Sequence, residues 1–409
     1  MQIDYNFPSL RDRNAAIQSQ FYFPANVTPI DVDVDYNSPS SLLGNKRIFV
    51  TTPRLATGVP ISLGYVIQSP NGPLIQPYPD YSWHTSNGAN CDGITSAFRV
   101  AIDACNRLWV IDSGRIETVL RCPPQLLVFD LNTDTLVHRY RFPQTQYVSN
   151  SLFISLILDT NDPPPIGRCL NTKVYVADVL AFGLVVYDAL MNRSWRIQNR
   201  LFNLDPNFTP ISLAGESINS FDGIFSFALS PRPNIGGYPL PGLPFQIQPE
   251  RYLFLHSLTS TTEVAVPLQL INDPTIWENN PNAFPEAFSV IGNRGVQTPT
   301  EAMDSNGNLF FVLTNPLSLV CWDSSTPYTR QNIRQVHKND VTLQFASSLK
   351  IIRNNLGQEE IWILTNRFQK VSSGTLNANE VNFRVQGNTI NKLLKGSTRC
   401  NADDEVCLP

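Results

Sequence analysis

A short strand pattern recurs along the chain and restricts its fold more than any other feature. In the clearest copy, a turn at residues 103–106 leads into the apolar run 108–111, and Asp112 ends the run. Asp and Asn side chains in such a turn bond nearby backbone N–H groups, and an unbroken apolar run suits a strand buried on both faces. Five further copies share this order, and those at residues 302–315 and 349–366 are close to the first. The aromatic strand residues of the six copies are Phe49, Trp109, Tyr175, Phe254, Phe311 and Trp362.

The spacing of the copies indicates a ring. Neighbouring aromatic residues are 51 to 79 positions apart, which leaves room for one four-stranded antiparallel unit in each gap. Such a unit buries both faces only when neighbours stack against it, and a closed ring gives every unit two neighbours. In three copies a second apolar run ending in Asp follows, at residues 125–130, 183–188 and 318–323. We therefore predict an all-β fold, a six-bladed β-propeller; a large β-sandwich of unrelated short strands is the alternative.

The same pattern divides the chain into three regions. Residues 1–43 are predicted as an N-terminal arm that packs on the ring, residues 44–400 as the propeller, and residues 401–409 as a C-terminal tail. Residues 221–231 have the pattern of a blade's first strand. Residues 381–386 are predicted as the last strand, which pairs with an N-terminal segment and closes the ring.

Composition argues against several classes of partner. The formal net charge of the 409-residue chain is −4, so no basic field points to a nucleic acid. No apolar run reaches the roughly 18 residues that a membrane-spanning helix needs, so we expect no membrane span. Charged residues make up only 16% of the chain and hydrophobic residues 42%, which is ample material for a core.

Cysteines and glycosylation sequons favour a secreted protein. None of the seven cysteines forms a Cys-x-x-Cys pair, so we predict no zinc site, and no pattern requires another metal or a cofactor. Sequons begin at Asn26, Asn192 and Asn207. The first residues carry no signal-peptide pattern, which fits a cytosolic protein or a mature chain with an added start methionine. The cysteines and sequons together favour the second, an extracellular disulfide-bonded protein.

The disulfide pairing is a hypothesis, because six cysteines allow many combinations. The predicted bonds are Cys91–Cys122, Cys105–Cys169 and Cys321–Cys400, with Cys407 left over. The third bond would tie the fifth blade to the C-terminal tail and help to close the ring.

Several longer motifs occur in a fixed order along the chain. They are residues 48–54 with 58–60, 74–80, 105–114, 175–178 with 183–184, 222–231, 321–322, 364–368 and 382–384. In these motifs the chain resembles the yellow and major royal jelly protein family of insects, and it is more similar to those branches than to the salivary amine-binding branch. The resemblance implies a secreted six-bladed propeller. Members are linked to dopachrome conversion, biogenic-amine binding, cuticle and eggshell formation and nutrition, so the family narrows the function without choosing it.

The resemblance also suggests ligand-binding residues at the mouth of the axial channel. Its Asn-Arg-Phe motif carries over to Asn366 and Phe368, and Ser348 matches a polar residue of that site more loosely. Thr95 and Asn315 lie at equivalent ends of repeats and are further candidates; strand-end capping is the alternative role. A ring stacks on an aromatic ligand or faces a cationic amine, and an amide bonds hydroxyl or amine groups.

Catalytic signatures are absent from the sequence, so the catalytic residues stay unknown. No P-loop, Gly-x-Ser-x-Gly or His-Glu-x-x-His motif occurs. If a catecholic aminochrome is the substrate, the reaction is a proton shift that needs a base and a donor for the developing oxyanion. Asp92, Asp178 and Asp222 are weak candidates for the base. Burial would have to raise the pKa of such an Asp above its ordinary value of about 3.9.

Three functions remain open from the sequence. The first is an extracellular protein of the pigmentation or cuticle pathway that binds small catechol or indole-amine compounds in the axial channel. The second is a dopachrome-converting isomerase of melanin synthesis. The third is a structural protein of cuticle or eggshell, whose partner is a related yellow-family protein or extracellular matrix. An open polar channel favours the first two, and a plugged channel favours the third.

Overall fold

The computed structural model of the protein describes residues 3–37, 46–232 and 251–400. The predicted C-terminal tail at 401–409, with Cys407 in it, lies outside these residues. Antiparallel sheets are the dominant regular structure of the described chain, which confirms the all-β prediction.

Six antiparallel sheets form the blades of a propeller, as predicted. From the axis outward, blade one contains Asp31–Asp35, Arg47–Thr51, Leu63–Ser69 and Gly72–Pro77; blade two contains Ala97–Ile102, Arg107–Asp112, Gln125–Asp130 and Thr135–Arg141; blade three contains Phe153–Thr160, Thr172–Asp178, Gly183–Asp188 and Arg193–Gln198. Blade four contains Ile224–Leu229, Tyr252–Ser257, Thr262–Pro267 and Ser289–Asn293; blade five contains Glu301–Met303, Asn308–Leu313, Ser318–Asp323 and Ile333–Lys338; blade six contains Ala346–Arg353, Glu359–Thr365 and Arg384–Thr389.

The remaining elements are short and lie outside the blades. Two small hairpins pair Arg115–Ile116 with Val119–Leu120 and Pro210–Leu213 with Glu216–Asn219. The α-helices are Leu10–Gln18, Leu268–Ile271, Pro274–Trp277, Phe368–Ser373 and Ile390–Leu393. The 3₁₀ helices are Pro24–Asn26, Tyr81–Gly88, Gln144–Gln146, Arg200–Phe202, Pro206–Phe208, Pro285–Ala287 and Arg330–Asn332. Within the described part of the chain, no helix is long and apolar enough to cross a membrane.

The repeated sequence pattern is the second strand of each blade. All six aromatic residues that define the repeats lie on these second strands, and the runs that end in Asp are the third strands. The strand over residues 108–111 is fully buried, because neighbouring blades cover both of its faces. Burying each such large apolar side chain contributes about 1.5–3 kcal/mol to folding. The innermost strands are less apolar than the second strands and are therefore harder to recognise. Of the six, only the innermost strand of blade four, within residues 221–231, was predicted.

The ring closes differently from the prediction. Arg384–Thr389 pairs with Glu359–Thr365 of its own blade, and the described N-terminal residues do not pair with it. Instead Asp31–Asp35, which we predicted as part of the arm, is the innermost strand of blade one and lies beside Ala346–Arg353. The Ser347 hydroxyl donates to the Ile30 carbonyl across this seam at 2.7 Å.

Residues 3–27 pack on the outside of blade one. Tyr5 forms a parallel bridge with Ile75 on the outermost strand, and its hydroxyl donates to the Ile61 carbonyl at 2.9 Å. Ser9 caps the first helix by accepting a hydrogen bond from the Asp12 N–H at 3.1 Å. The apolar side chains between arm and blade one form a separate small cluster.

The three predicted disulfides are confirmed. They join Cys91 to Cys122, Cys105 to Cys169 and Cys321 to Cys400, with Cα–Cα distances of 5.4, 6.2 and 6.0 Å. The second joins the turn of blade two to the loop of blade three, and the third holds the end of the described chain to blade five. A disulfide of this kind contributes about 2–4 kcal/mol, mainly by restricting the unfolded chain.

Candidate functional site

A cavity of about 620 Å³ lies on the propeller axis, and all six innermost strands line it. Its lining residues on blade one run from Asp31 to Asn37, and those on blade six run from Ser348 to Asn355. Because these segments extend past the ends of the innermost strands, the cavity opens on the face where those strands end. We call this space the axial cavity.

The innermost strand of blade one supplies the acidic groups of the axial cavity through a simple alternation. Residues 31–35 read Asp-Val-Asp-Val-Asp, and successive side chains on a strand point to opposite faces. Val32 and Val34 therefore pack into an apolar cluster with Trp362 of blade six. Asp31 and Asp33 point the other way, toward blade two.

Two carboxylates and one ammonium group meet at the cavity wall. The Lys350 ammonium lies 3.0 Å from Asp31 Oδ2 and 3.7 Å from Asp33 Oδ2, and it also donates to the Val100 carbonyl. The carboxylates accept backbone N–H groups of blade two: Val100 donates to Asp31 at 2.8 Å and Ile102 donates to Asp33 at 3.0 Å. These contacts join blades one, two and six at the axis and fix the position of the charged groups.

Burial gives Asp33 the electrostatic property that a general base needs. Loss of solvent raises the pKa of the Asp33 carboxyl to about 6, against the lowering effect of Lys350, and the nearby Asp31 raises it further. A carboxyl group with that pKa is mostly ionised at neutral pH and still holds an abstracted proton well. Asp33 is thus a chemically suitable proton acceptor beside a cationic donor.

Arg99 ends the axial cavity on its inner side. The guanidinium of Arg99 reaches across the axis and donates to the Phe225 carbonyl at 3.2 Å and to the Ser347 carbonyl at 3.0 Å. It also lies 5.2 Å from the centre of the Phe225 ring. Burial lowers the pKa of Arg99, whereas Asp31 raises it. This one side chain connects blades two, four and six.

Sequence reasoning missed Asp31, Asp33, Lys350 and Arg99. A signal for the first two was present, because the alternation over residues 31–35 has the two-residue period of a strand. Its high Asp content made the segment resemble a loop. No local signal marks Lys350 or Arg99, because their hydrogen-bond partners are far away in the sequence. The partners of Lys350 lie 250 or more positions away, and those of Arg99 lie 126 or more positions away.

The predicted residues Asn366 and Phe368 lie at the other end of the axis. Asn366 follows the second strand of blade six, on the face where the innermost strands begin; we call this face the strand-start mouth. The Asn366 amide donates to the Pro29 carbonyl at 2.9 Å and accepts the Phe368 N–H at 3.1 Å, and the residue is fully buried. The half-buried Phe368 ring packs 5.2 Å from the ring of Phe345. The asparagine thus has a structural role in the described chain, and ligand binding by either residue stays a prediction.

The other ligand-binding candidates are separated. Ser348 lines the axial cavity, and its hydroxyl accepts the Val32 N–H at 3.4 Å. Thr95 is buried, with no hydrogen-bond partner for its hydroxyl among the described groups. Asn315 is exposed. Of these three candidates only Ser348 is among the lining residues of the axial cavity.

The three aspartates considered as bases do not line the axial cavity either. Asp92 is exposed and pairs with Arg141 at 2.7 Å. Asp178 is fully buried, accepts the Leu152 N–H at 2.9 Å and pairs with Arg196 at 2.8 Å. The Asp222 carboxylate accepts the Ser220 hydroxyl at 2.6 Å, and burial raises its pKa. Asp222 alone combines a raised pKa with a place near the strand-start mouth.

The sequons differ in accessibility. Asn192 and Asn207 are exposed. The amide of Asn26 is partly buried and donates to the Thr57 carbonyl at 2.9 Å. Glycosylation at all three positions stays a prediction.

Two groups of side chains in the described chain are close enough to share a metal ion. The first contains Asp103, Cys105 and Cys169, but both of its sulfur atoms belong to a disulfide. The second contains His256, Glu263 and Glu301, all buried in the wall between blades four and five.

Comparison with known proteins shows the family of the chain. The family model for the major royal jelly protein matches residues 95–400. The "Dopaminechrome tautomerase" of Drosophila melanogaster is 31% identical over 413 residues, covering 98% of this chain and 83% of that protein. "Major royal jelly protein 6" of Apis mellifera is 36% identical over 414 residues, covering 97% and 86%. "Protein yellow" of Drosophila melanogaster is 31% identical over 397 residues, covering 94% and 66%. The chain belongs to the yellow and major royal jelly protein family.

Proposed function

We propose that this protein binds a small catechol-derived aminochrome or a related indole amine in the axial cavity. The observation that carries the proposal is the pairing of Lys350 with Asp33 in the wall of a cavity of about 620 Å³. Binding sites for small molecules are typically about 300–1,000 Å³ and hold a few well-placed polar groups. A bicyclic aminochrome fits that range and carries both carbonyl oxygens and a ring nitrogen.

The polar groups of the cavity suit the two ends of such a molecule. Lys350 has three N–H bonds, of which Asp31 and the Val100 carbonyl take two. The third faces Asp33 Oδ2 at 3.7 Å, makes no hydrogen bond within the described part of the chain, and can donate to a quinone-type carbonyl oxygen of the ligand. The Asp33 carboxylate accepts from a ring N–H or faces a cationic ring nitrogen. The ligand is thereby oriented by two groups of opposite charge.

Tautomerisation of the bound compound is the second candidate function, and the raised pKa of Asp33 favours it. Asp33 would take a proton from a ring carbon while Lys350 stabilises the negative charge that develops on the carbonyl oxygen. Return of the proton to the oxygen or nitrogen completes the shift and regenerates the carboxylate, without a cofactor. The name of one relative, "Dopaminechrome tautomerase", gives this reaction type to that protein and supports the proposal for this one.

A structural role in cuticle or eggshell, with a related protein or matrix as partner, is less well supported by the geometry. Arg99 crosses one end of the axis, but the other end keeps an open, polar space that packing alone does not require. Secretion into the extracellular space remains part of the proposal and is supported by the three disulfides.

Two measurements on the full chain test the proposal. Dopamine, serotonin and 5,6-dihydroxyindole are titrated into the protein by calorimetry, and loss of dopaminechrome absorbance is followed with protein far below substrate and a heat-killed control. Saturable binding supports the first function, and many turnovers per chain support the second as well. If no compound binds and the absorbance decays at the control rate, both are wrong and a structural role becomes the better hypothesis.

A further inference from the structure

A second group of charged side chains lies buried between blades four and five, apart from Asp33 and Lys350. It consists of His256 on the second strand of blade four, Glu263 on the third strand, and Glu301 at the start of the innermost strand of blade five. All three are at most 3% exposed. We call these residues the His256 cluster.

The hydrogen bonds of His256 determine which ring nitrogen faces the carboxylates. Nε2 lies 3.0 Å from the Thr298 carbonyl oxygen, and a carbonyl only accepts, so Nε2 carries a proton. Nδ1 then points between Glu263 Oε2 at 3.3 Å and Glu301 Oε2 at 3.1 Å. A histidine that donates one N–H to a backbone carbonyl and turns its other nitrogen to carboxylate oxygens has the arrangement usual for a metal ligand.

The carboxylate of Glu301 lacks the partners that a buried charge needs, whereas that of Glu263 is paired with Arg294. Neither side-chain oxygen of Glu301 makes a hydrogen bond with any described group, and the same is true of Glu263 Oε1 and His256 Nδ1. A buried carboxylate without partners is strongly unfavourable. Of the two carboxylates, Arg294 pairs with that of Glu263, at Oε2 and 3.1 Å, and its other hydrogen bonds go to the carbonyls of Thr262 and Ser260.

We propose that the His256 cluster binds one divalent metal ion of the Zn²⁺ class through His256 Nδ1, Glu263 and Glu301. Ligand atoms that each lie about 2.1 Å from one ion are separated by about 3.0–3.4 Å, and the two N–O distances are 3.1 and 3.3 Å. One imidazole and two carboxylates are a donor set that suits Zn²⁺ or Mn²⁺. The ion supplies positive charge beside Glu301, the carboxylate that Arg294 does not pair with.

The bound metal would link two neighbouring blades. It would reach its site through the axial cavity. The cluster takes two ligands from blade four and one from blade five, so a bound ion holds these neighbours together. Glu301 also lines the axial cavity, which connects the site to solvent. The sequence predicted no metal because the ligands are spread over 45 positions and share no motif. A proton on Nδ1 that is shared between the carboxylates is the competing occupant.

Metal content tests the proposal directly. Tag-free full-length protein is treated with EDTA, loaded with Zn²⁺, dialysed and measured by plasma mass spectrometry. We expect one zinc per chain and a rise in melting temperature with Zn²⁺. Glu301→Gln should lose both effects, whereas Glu286→Gln, the same change at an exposed position, should keep them.

A second measurement on unaltered protein covers the case in which Glu301→Gln fails to fold. Co²⁺ loaded into the EDTA-treated wild type should give the visible absorption bands of a protein-bound ion, and added Zn²⁺ should abolish them. If the wild type retains no zinc and no cobalt and melts at the same temperature with and without Zn²⁺, the proposal is wrong and a shared proton occupies the cluster. Ligand titrations are unaffected by that result, so the proposed function is judged separately.

Discussion

The two ends of the propeller axis are built from different parts of the blades, and they differ in chemistry. The axial cavity takes its charged groups, such as Asp33 and Lys350, from the innermost strands themselves. The strand-start mouth takes Asn366 from the loop that follows a second strand and Phe368 from the start of the next helix. The first set faces open space, whereas the Asn366 amide is already bonded to its own backbone surroundings. The Asn-Arg-Phe motif thus marks a stable turn here, and the charged groups of the axis lie at the other end.

The same contrast applies to two lysines, one at each end. Lys350 is mostly buried between two carboxylates, and its side chain is 18% exposed. Lys370, on the helix that begins at Phe368, pairs with Glu216 at 2.6 Å in a more exposed position. Removing one partner from a buried ionic group leaves an uncompensated charge, whereas a surface pair contributes little.

The largest effect is expected from Lys350→Met. Loss of the ammonium leaves Asp31 and Asp33 buried without their cation, so the free energy of unfolding should fall by about 3–5 kcal/mol. Lys370→Met is the matched control and should cost less than about 1 kcal/mol. Urea unfolding followed by tryptophan fluorescence measures both. Equal losses in the two variants would contradict the view that the ion pairs of Lys350 stabilise the fold more than the ion pair of Lys370 does.

Asp33→Asn should give the next largest effect, on catalysis. If Asp33 is the base, its amide cannot take the proton, and turnover of dopaminechrome should fall by about 100-fold or more. Asp222→Asn alters a carboxylate with a raised pKa near the strand-start mouth and should leave the rate almost unchanged. Initial rates at saturating substrate compare the two. A loss confined to Asp222→Asn would move the reaction to the other end of the axis.

The sequence allowed the fold to be predicted better than the site, and particular residues show why. Trp109 and its five equivalents lie on second strands, whose burial on both faces requires a continuous apolar run that is visible locally. The cysteine pairs were also correctly predicted. Asp33 could not be assigned, because its pKa is raised by burial at the assembled axis, against the lowering effect of Lys350, which is 317 positions away. The His256 cluster is likewise formed only when blades four and five meet.

The pH dependence of turnover should show the titration of Asp33. Its pKa is about 6, so the basic form is depleted below that pH, and the rate should rise about tenfold from pH 5 to a plateau above pH 7.

The stability of the folded protein should change with pH in the opposite direction. Between about pH 4 and pH 6, Asp33 holds a proton in the folded protein, whereas the unfolded chain, with an Asp pKa of about 3.9, releases it. The free energy of unfolding contributed by Asp33 therefore falls as the pH rises through this range.

Rates and unfolding curves across this range check the two pH trends together. Asp33→Asn removes the titrating group, so the difference in unfolding free energy between wild type and variant should change over this pH range. A pH-independent difference would show that Asp33 does not titrate near 6 in the folded protein.

The smallest effect is expected on ligand affinity, which shows at which end of the axis the ligand binds. Ala101 lines the axial cavity, so Ala101→Leu places three extra carbon atoms in the space proposed for the ligand and should weaken binding about tenfold or more, about 1.4 kcal/mol. Phe368→Ala removes the ring at the strand-start mouth and should change the Kd by less than about twofold if the ligand lies in the axial cavity. Calorimetric titration below the melting temperature of both variants measures this. The reverse order of effects would mean that the ligand stacks on Phe368, as the family resemblance suggested, and that the Lys350 and Asp33 pair is structural.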